Sequence, residues 1–423
     1  MSQRKRRVLV VGTTRDYIDH IRKRMPGRAV FLTDPDVMTD TGIPTIPEDE
    51  ELICPLMDEQ AAMDRLRNFL DRQNILLSGV ACFDCESLLM AATVANKWSL
   101  PFPSRQSILY CRNKYLCKKR WASHGIPCPR VRAVHSFDDI AGFMRKIGGP
   151  VVLKPVSGSG SELTFRCNSL GEASRAYRTI LKGLMARATD RMYYLNGKAG
   201  RANVICEEFV GGDEFSCDVY YDAGEVQVLR ITNKYFPEER LIGTTLAYEI
   251  PAKLPGAIGE TVFRRYLGEA AKALGLTRSL CMVDFIWHNG LPYFLELSPR
   301  PGGDCLPPLI EQSCGVDMLG VTLDFAEGRP PRVPPSNTWE HLVGVRFHAD
   351  RAGRLQSIHP QLREWEENMR ELVWIRRPGD QIELPPKDYG SWLLGYGIFS
   401  PKTGLAIQDQ LRNLVRAVAV DIV

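Results

Sequence analysis

Residues 279–300 read SLCMVDFIWHNGLPYFLELSPR. Two largely apolar runs, Ser279 to His288 and Leu291 to Leu297, flank Asn289-Gly290. That dipeptide is the strongest short hairpin signal, because a type I′ turn needs positive φ at both central residues. One carboxylate interrupts each arm, Asp284 in the first and Glu296 in the second. A plain two-residue turn puts residues twelve apart on opposite faces of the hairpin. An odd loop or a bulge returns them to one face, with Ser298 and Arg300 alternating onto it as well. If both carboxylates hold a metal ion, the hairpin must carry such an irregularity.

Other charged residues also sit in apolar strands. Lys154 follows Val151-Val152-Leu153, and Glu207 and Glu208 end the run that starts at Val204. Burying an ion costs several kcal/mol unless it is paired or meets a charged ligand. Lysines and carboxylates on neighbouring strands can neutralise one another. A polyphosphate with magnesium accounts for the whole set, since magnesium uses one or two carboxylates and the phosphates themselves. The run Ser157-Gly158-Ser159-Gly160-Ser161 suits the same ligand, because small residues let backbone N–H groups approach phosphate oxygens. No GxxxxGK[ST] sequence occurs, so this is not a Walker loop.

Outward from this centre, the 423 residues divide into several lobes. Arg7 to Val11, Ala29 to Leu32 and Ile75 to Ser78 read as buried strands between helical stretches, which implies a parallel α/β lobe at the N-terminus. Gly12 stands alone there, without the GxGxxG turn of a dinucleotide site. Glu86 to Lys97 is a helix, and a second carries Ile108, Cys111, Tyr115 and Ala122 on one stripe before ending at Gly125. Helices are expected at Glu260 to Leu274 and near Asp409 to Val418. The prolines between Gly328 and Pro335 mark a lobe boundary. The expected lobes are 1–110, 111–207, 208–330 and 331–423.

Composition excludes several classes. With 44% hydrophobic and 25% charged residues, the chain has the make-up of an ordinary globular protein. No apolar run reaches about 20 residues, and the stretch behind the basic start is too short for a secretory signal. A cytoplasmic protein with no membrane partner is expected. The net charge of +4 is small, and no nucleic-acid partner is expected from it. Twelve scattered cysteines fit reduced thiols, and Cys82 and Cys85 lack the second pair that a zinc site needs.

Five segments together resemble the ordered motifs of the ATP-grasp superfamily. They are Arg112-Asn113-Lys114-Tyr115, Val152-Leu153-Lys154-Pro155 with its Ser/Gly loop, Glu207-Glu208-Phe209-Val210-Gly211, Gly212-Asp213-Glu214-Phe215-Ser216 and Phe294 to Arg300. The resemblance covers about residues 105 to 330. It implies an α/β (α+β) ATP-grasp fold: a pre-ATP-grasp lobe, a small lid lobe, a larger mixed-sheet lobe and a C-terminal extension. It also implies ATP with one or two Mg²⁺, manganese being an alternative. Lys114 and Lys154 would contact phosphates, and Ser157, Gly158, Ser159, Gly160 and Ser161 would close over them. Glu207, Glu208, Phe209 and Val210 would lie beside adenine, and Glu214 would bind ribose. Asp284 and Glu296, with Ser298, would hold metal, and Arg300 would face the γ-phosphate and the acyl-phosphate intermediate, Arg300 and Lys154 being the catalytic residues.

Pro301-Gly302-Gly303-Asp304 is most similar to the L-amino-acid ligase and carnosine-synthase-like branch, in which Gly302 and Gly303 would lie beside the substrate carboxylate. Lys234 is a further candidate for holding that carboxylate. The implied activity joins a small-molecule carboxylate to an amine through an acyl phosphate. A non-amine acceptor, or nucleotide binding without turnover, are the alternatives. Three positions depart from the pattern: Ser298 where asparagine is usual, Asp284 where glutamate is common, and Glu162-Leu163 after the loop. The stretch from Tyr193-Tyr194 to Arg201 reads as a surface loop able to act as a lid. A homodimer is the default expectation.

Overall fold

The computed structural model describes residues 4–36, 46–193, 204–237, 244–255 and 259–423. The N-terminal lobe runs β1 (Lys5–Val11), α1 (Arg15–Arg24), β2 (Ala29–Thr33), β3 (Glu51–Ile53), α2 (Glu59–Arg72), β4 (Ile75–Ala81) and α3 (Leu88–Lys97). Its strands form a parallel sheet in the order β3-β2-β1-β4. Alternate residues of β1 serve two cores: Leu9 and Val11 join one apolar cluster, Val8 and Val10 the other. Both faces are thus covered, as a parallel sheet requires.

Two helices follow, α4 (Arg105–Arg112) and α5 (Lys114–Ser123). A single helix was expected here. Asn113 divides it, because its backbone is extended (φ −94°, ψ 96°) and its side chain accepts from the Leu116 N–H to cap α5. Helix α4 also crosses the boundary expected at residue 110.

The lid comprises β5 (Val131–Val134), α6 (Phe137–Ile147), β6 (Val151–Pro155), β7 (Phe165–Cys167), α7 (Leu170–Ala186) and β8 (Val204–Glu208). Its antiparallel sheet has the order β5-β8-β6-β7. Of the lid loop expected from Tyr193 to Arg201, Tyr194 to Arg201 lie outside the described residues.

The rest of the chain supplies β9 (Asp213–Asp222), β10 (Glu225–Tyr235), β11 (Ala247–Ile250), α8 (Glu260–Ala273), β12 (Arg278–His288), β13 (Leu291–Ser298), α9 (Leu306–Cys314) and α10 (Met318–Ala326). After the proline run come β14 (Leu342–His348), β15 (Gly353–Pro360), β16 (Met369–Trp374), β17 (Gln381–Ile382), β18 (Leu393–Phe399), α11 (Ile407–Arg416) and β19 (Val418–Ile422). Eight strands form one antiparallel sheet, β13-β12-β9-β10-β11-β14-β18-β16. The prolines therefore do not separate two sheets, since β14 pairs with β11 across them. A fourth, small sheet is β17-β15-β19. Among the described residues no helix is long and apolar enough to cross a membrane.

The central sheet divides its faces by residue parity. Phe215, Cys217, Val219 and Tyr221 of β9 pack with Val283, Phe285 and α8 in one apolar core. Glu214, Ser216 and Asp218 must then point to the other face, where the polar site is assembled.

Candidate nucleotide and metal site

Strand register lays the polar residues in rows. Asp284 lies opposite Ser216 of β9 and opposite Glu296 of β13, and Ser216 lies opposite Thr232. The next row pairs Asp218 with Arg230 on one side and Met282 on the other, with Ser298 beyond. The hairpin turn has two residues, with φ 49° at Asn289 and 78° at Gly290. A bulge in the β13 arm brings the carboxylates together: the pairing passes from Phe285↔Phe294 to Asp284↔Glu296. Leu295 is the extra residue, and both Leu295 and Glu296 line the cavity, which consecutive strand residues do only at a bulge.

That cavity, of about 680 Å³, lies between the lid and the central sheet. Burial pushes the Asp284 carboxyl up to about 6, with Lys234 opposing and Glu296 adding to the rise. Burial also works against the charge of Glu296, yet Lys114, Lys154 and Lys118 hold it well below the usual carboxylate range. The Lys114 ammonium is 3.3 Å from Glu296 and donates to the Gly158 carbonyl at 2.7 Å. Two facing carboxylates offer hard oxygen ligands, and the described residues hold no cluster of three or more metal-binding side chains. The set fits Mg²⁺, which completes its shell from phosphate and water.

Deeper in the cavity, Glu207 is 2% exposed and receives two ammonium groups, Lys118 at 2.9 Å and Lys154 at 2.8 Å. Burial brings Lys154 down to about 8 despite Glu207, with Lys118 and Lys114 adding to the fall. Glu208 accepts from the backbone and side chain of Arg130. The carboxylates of Glu207 and Glu208 are therefore held by protein partners. Phe209 carries the Arg166 guanidinium over its ring at 4.0 Å.

The Ser/Gly loop borders the same cavity. Gly158 (φ 141°) and Gly160 (φ 62°) take backbone conformations open to glycine, and Ser161 (φ 59°) and Leu163 (φ 53°) share the left-handed region. Ser157 donates to the Met192 carbonyl at 2.9 Å. The departure at Glu162-Leu163 has a structural role. Tyr193 donates to Glu162 at 2.6 Å, Leu163 is fully buried, and its N–H donates to the Tyr389 hydroxyl at 3.0 Å. The loop is thereby tied to the C-terminal segment.

Lys234 does not stand free for a substrate carboxylate: its ammonium is 2.5 Å from Glu214 and 3.5 Å from Asp284. Arg300 is not among the residues lining this cavity. The strand ends at Ser298, and the Arg300 N–H bonds back to the Ser298 carbonyl, so the expected alternation stops. Its guanidinium instead donates to Cys85 Sγ at 3.1 Å and to the Pro301 carbonyl at 2.8 Å. Gly302 gives its N–H to Asp218 at 2.9 Å, which commits that amide to the protein. A Cβ there would come within 2.5 Å of Arg230. Gly303 abuts Arg300 and Tyr17. Ser298 borders a small adjoining cavity with Glu296, Lys114 and Cys85.

Sequence reading missed Lys118, although its spacing of four from Lys114 puts both on one helix face. It also missed the buried pair Asp218–Arg230 (2.8 Å), whose signal was alternate charges inside apolar strands. All twelve cysteines are free, and burial pushes the Cys82 thiol up.

Residues 147–308 match the family model of the ATP-grasp domain. An L-arginine-specific L-amino acid ligase of Bacillus subtilis is 24% identical over 308 residues, covering 70% of this chain and 69% of that protein. A D-alanine–D-alanine ligase of Acidovorax ebreus is 27% identical over 242 residues, 51% of this chain and 65% of that one. The crystal structure of an L-amino acid ligase from Bacillus licheniformis superposes with a TM-score of 0.75 at 20% identity, covering 100% of both chains.

Proposed function

We propose that this chain, an ATP-grasp protein, is an ATP-dependent carboxylate–amine ligase for substrates of the amino-acid type. The observation that carries this reading is the bulge-set pair Asp284 and Glu296 facing Lys114 and Lys154 across one cavity. In the proposed reaction a substrate carboxylate oxygen takes the γ-phosphoryl group, and ADP leaves. The amine nitrogen then attacks the acyl carbon, the bond to phosphate breaks, the nitrogen loses its proton, and an amide and inorganic phosphate result.

The chain's own contribution is positioning and charge. Lys114 and Lys154 take phosphate oxygens, the loop from Ser157 to Ser161 excludes water, and Glu207 to Val210 flank the base. Glu214 offers its carboxylate to the ribose hydroxyls and keeps Lys234 beside Asp284. Mg²⁺, which Asp284 and Glu296 would hold with Ser298 a third candidate ligand, would neutralise charge on the transferring phosphoryl group. Arg300, outside that cavity and beside Gly303, is the candidate to meet the substrate carboxylate. The relatives named above are carbon–nitrogen ligases of this type, which supports the reading.

ADP and phosphate release with Mg-ATP and amino acids tests it. Glu296→Ala is expected to lower turnover by about 10²–10³-fold, on the scale of losing one preorganised electrostatic group. Unchanged turnover in that variant would remove Glu296 from the site.

A further inference from the structure

A second cavity, of about 500 Å³, adjoins the nucleotide cavity, and Pro237 and Gln408 line both. It combines an apolar wall, with Trp392 and Val415, and a cationic edge, with Arg346 and Arg416. The only carboxylate among its described lining residues is Asp350, which lies 3.1 Å from Arg351. The His348 ring lies against Trp392, centroids 4.4 Å apart, and its Nε2 is buried without a hydrogen-bond partner. Burial and Arg346 push His348 down to about 3, so the imidazole stays neutral near pH 7. An unsatisfied buried nitrogen is costly, and a ligand that pairs with it removes that cost.

The cavity is also linked to the substrate side. Arg346 lies 2.8 Å from Asp304, which follows Gly303, the glycine against Arg300. Its Nη1 donates to the Thr245 carbonyl at 3.0 Å. The guanidinium is therefore fixed in place at the cavity edge, as a recognition group must be.

We infer that this cavity is a subsite for the distal part of a substrate, a carboxylate carried on a flat apolar body. Arg346 and Arg416 take the charge, and Trp392 and Val415 take the body. That the ligand is a substrate rests on the ligase reading; the anion site itself does not. An amine acceptor that is itself an amino acid carries such a second carboxylate.

Calorimetric titration of the full-length protein with 3-phenylpropionate tests the site without ATP or turnover. Saturable binding is expected, at least tenfold tighter than that of 3-phenylpropanamide or inorganic phosphate. Trp392→Ala and Arg346→Met should each weaken it at least tenfold while Mg-ATP binding persists. Should Arg346→Met fail to fold, Arg416→Ala at the exposed rim tests the charge, with at least a threefold loss expected. Absence of saturation, equal affinity for the amide or for phosphate, or indifference to the variants would overturn the inference. Carboxylate binding without ADP release under any amino-acid mixture would instead count against the ligase reading alone.

Discussion

Glu207 keeps its charge in the interior because Lys118 and Lys154 both reach it. Removing one partner of a buried ion pair costs about 3–5 kcal/mol, because the remaining charge stays desolvated. Glu207→Ala is therefore expected to lower the unfolding free energy by about that amount in urea titrations. A loss below about 1 kcal/mol would mean that Lys118 is satisfied by the Leu295 carbonyl, 2.5 Å away. Lys154 makes a prediction in pH. With its value near 8 in the free protein, it is about half charged at that pH. Bound phosphates favour the ammonium and raise that value, so Mg-ATP binding at pH 8 to 9 should take up protons. Calorimetry in buffers of different ionisation enthalpy reads this directly, and binding with no proton uptake would put Lys154 outside phosphate contact. At this scale the sequence showed which charges interrupt apolar strands. It did not show how they pair, because pairing depends on register between strands distant in the chain. Arg300 is the instructive case: two-residue alternation held up to Ser298 and failed once Pro299 and a tight turn followed.

The hairpin from Arg278 to Ser298 was legible as an element. Turn chemistry at Asn289-Gly290 set its loop, and the parity of Asp284 and Glu296 demanded an irregularity. Its location, in the β13 arm at Leu295, depended on tertiary contacts that no local signal carries. The helix break at Asn113 was missed for a related reason: an apolar stripe continued through it, whereas a single asparagine cap decided the geometry. The loop following β6 yields a prediction of its own. Its Leu163 N–H is held by the Tyr389 hydroxyl of the C-terminal segment. Tyr389→Phe removes one hydrogen bond of about 1 kcal/mol, so amide exchange at Leu163 should quicken by roughly fivefold. Other lid amides should be unaffected, and an unchanged Leu163 rate would show that the contact does not restrain the loop.

Across the molecule, the parallel N-terminal lobe followed from the order of apolar runs and helices, and the lid and larger-sheet lobes from the family resemblance. The expected break at the prolines did not follow, because β14 continues the central sheet beside β11 and β18 adds to β14. Truncation after residue 330 would leave β11 as an exposed edge and strip Val343, Phe347 and Leu394 from the core that covers Leu246 and Ala247. Such a fragment is expected to aggregate or to lack a cooperative thermal transition by circular dichroism. A soluble fragment with a sharp transition would make the C-terminal part a separate domain. The central claim is that the two facing carboxylates serve ATP-driven joining of a carboxylate to an amine. The most direct test is ADP and phosphate release with Mg-ATP and amino acids supplied singly and in pairs, comparing the natural chain with Glu296→Ala. Release that depends on the substrates, yields an amide and is lost in the variant is the predicted result; release equal in both proteins, or none with any pair while Mg-ATP binds, would contradict it.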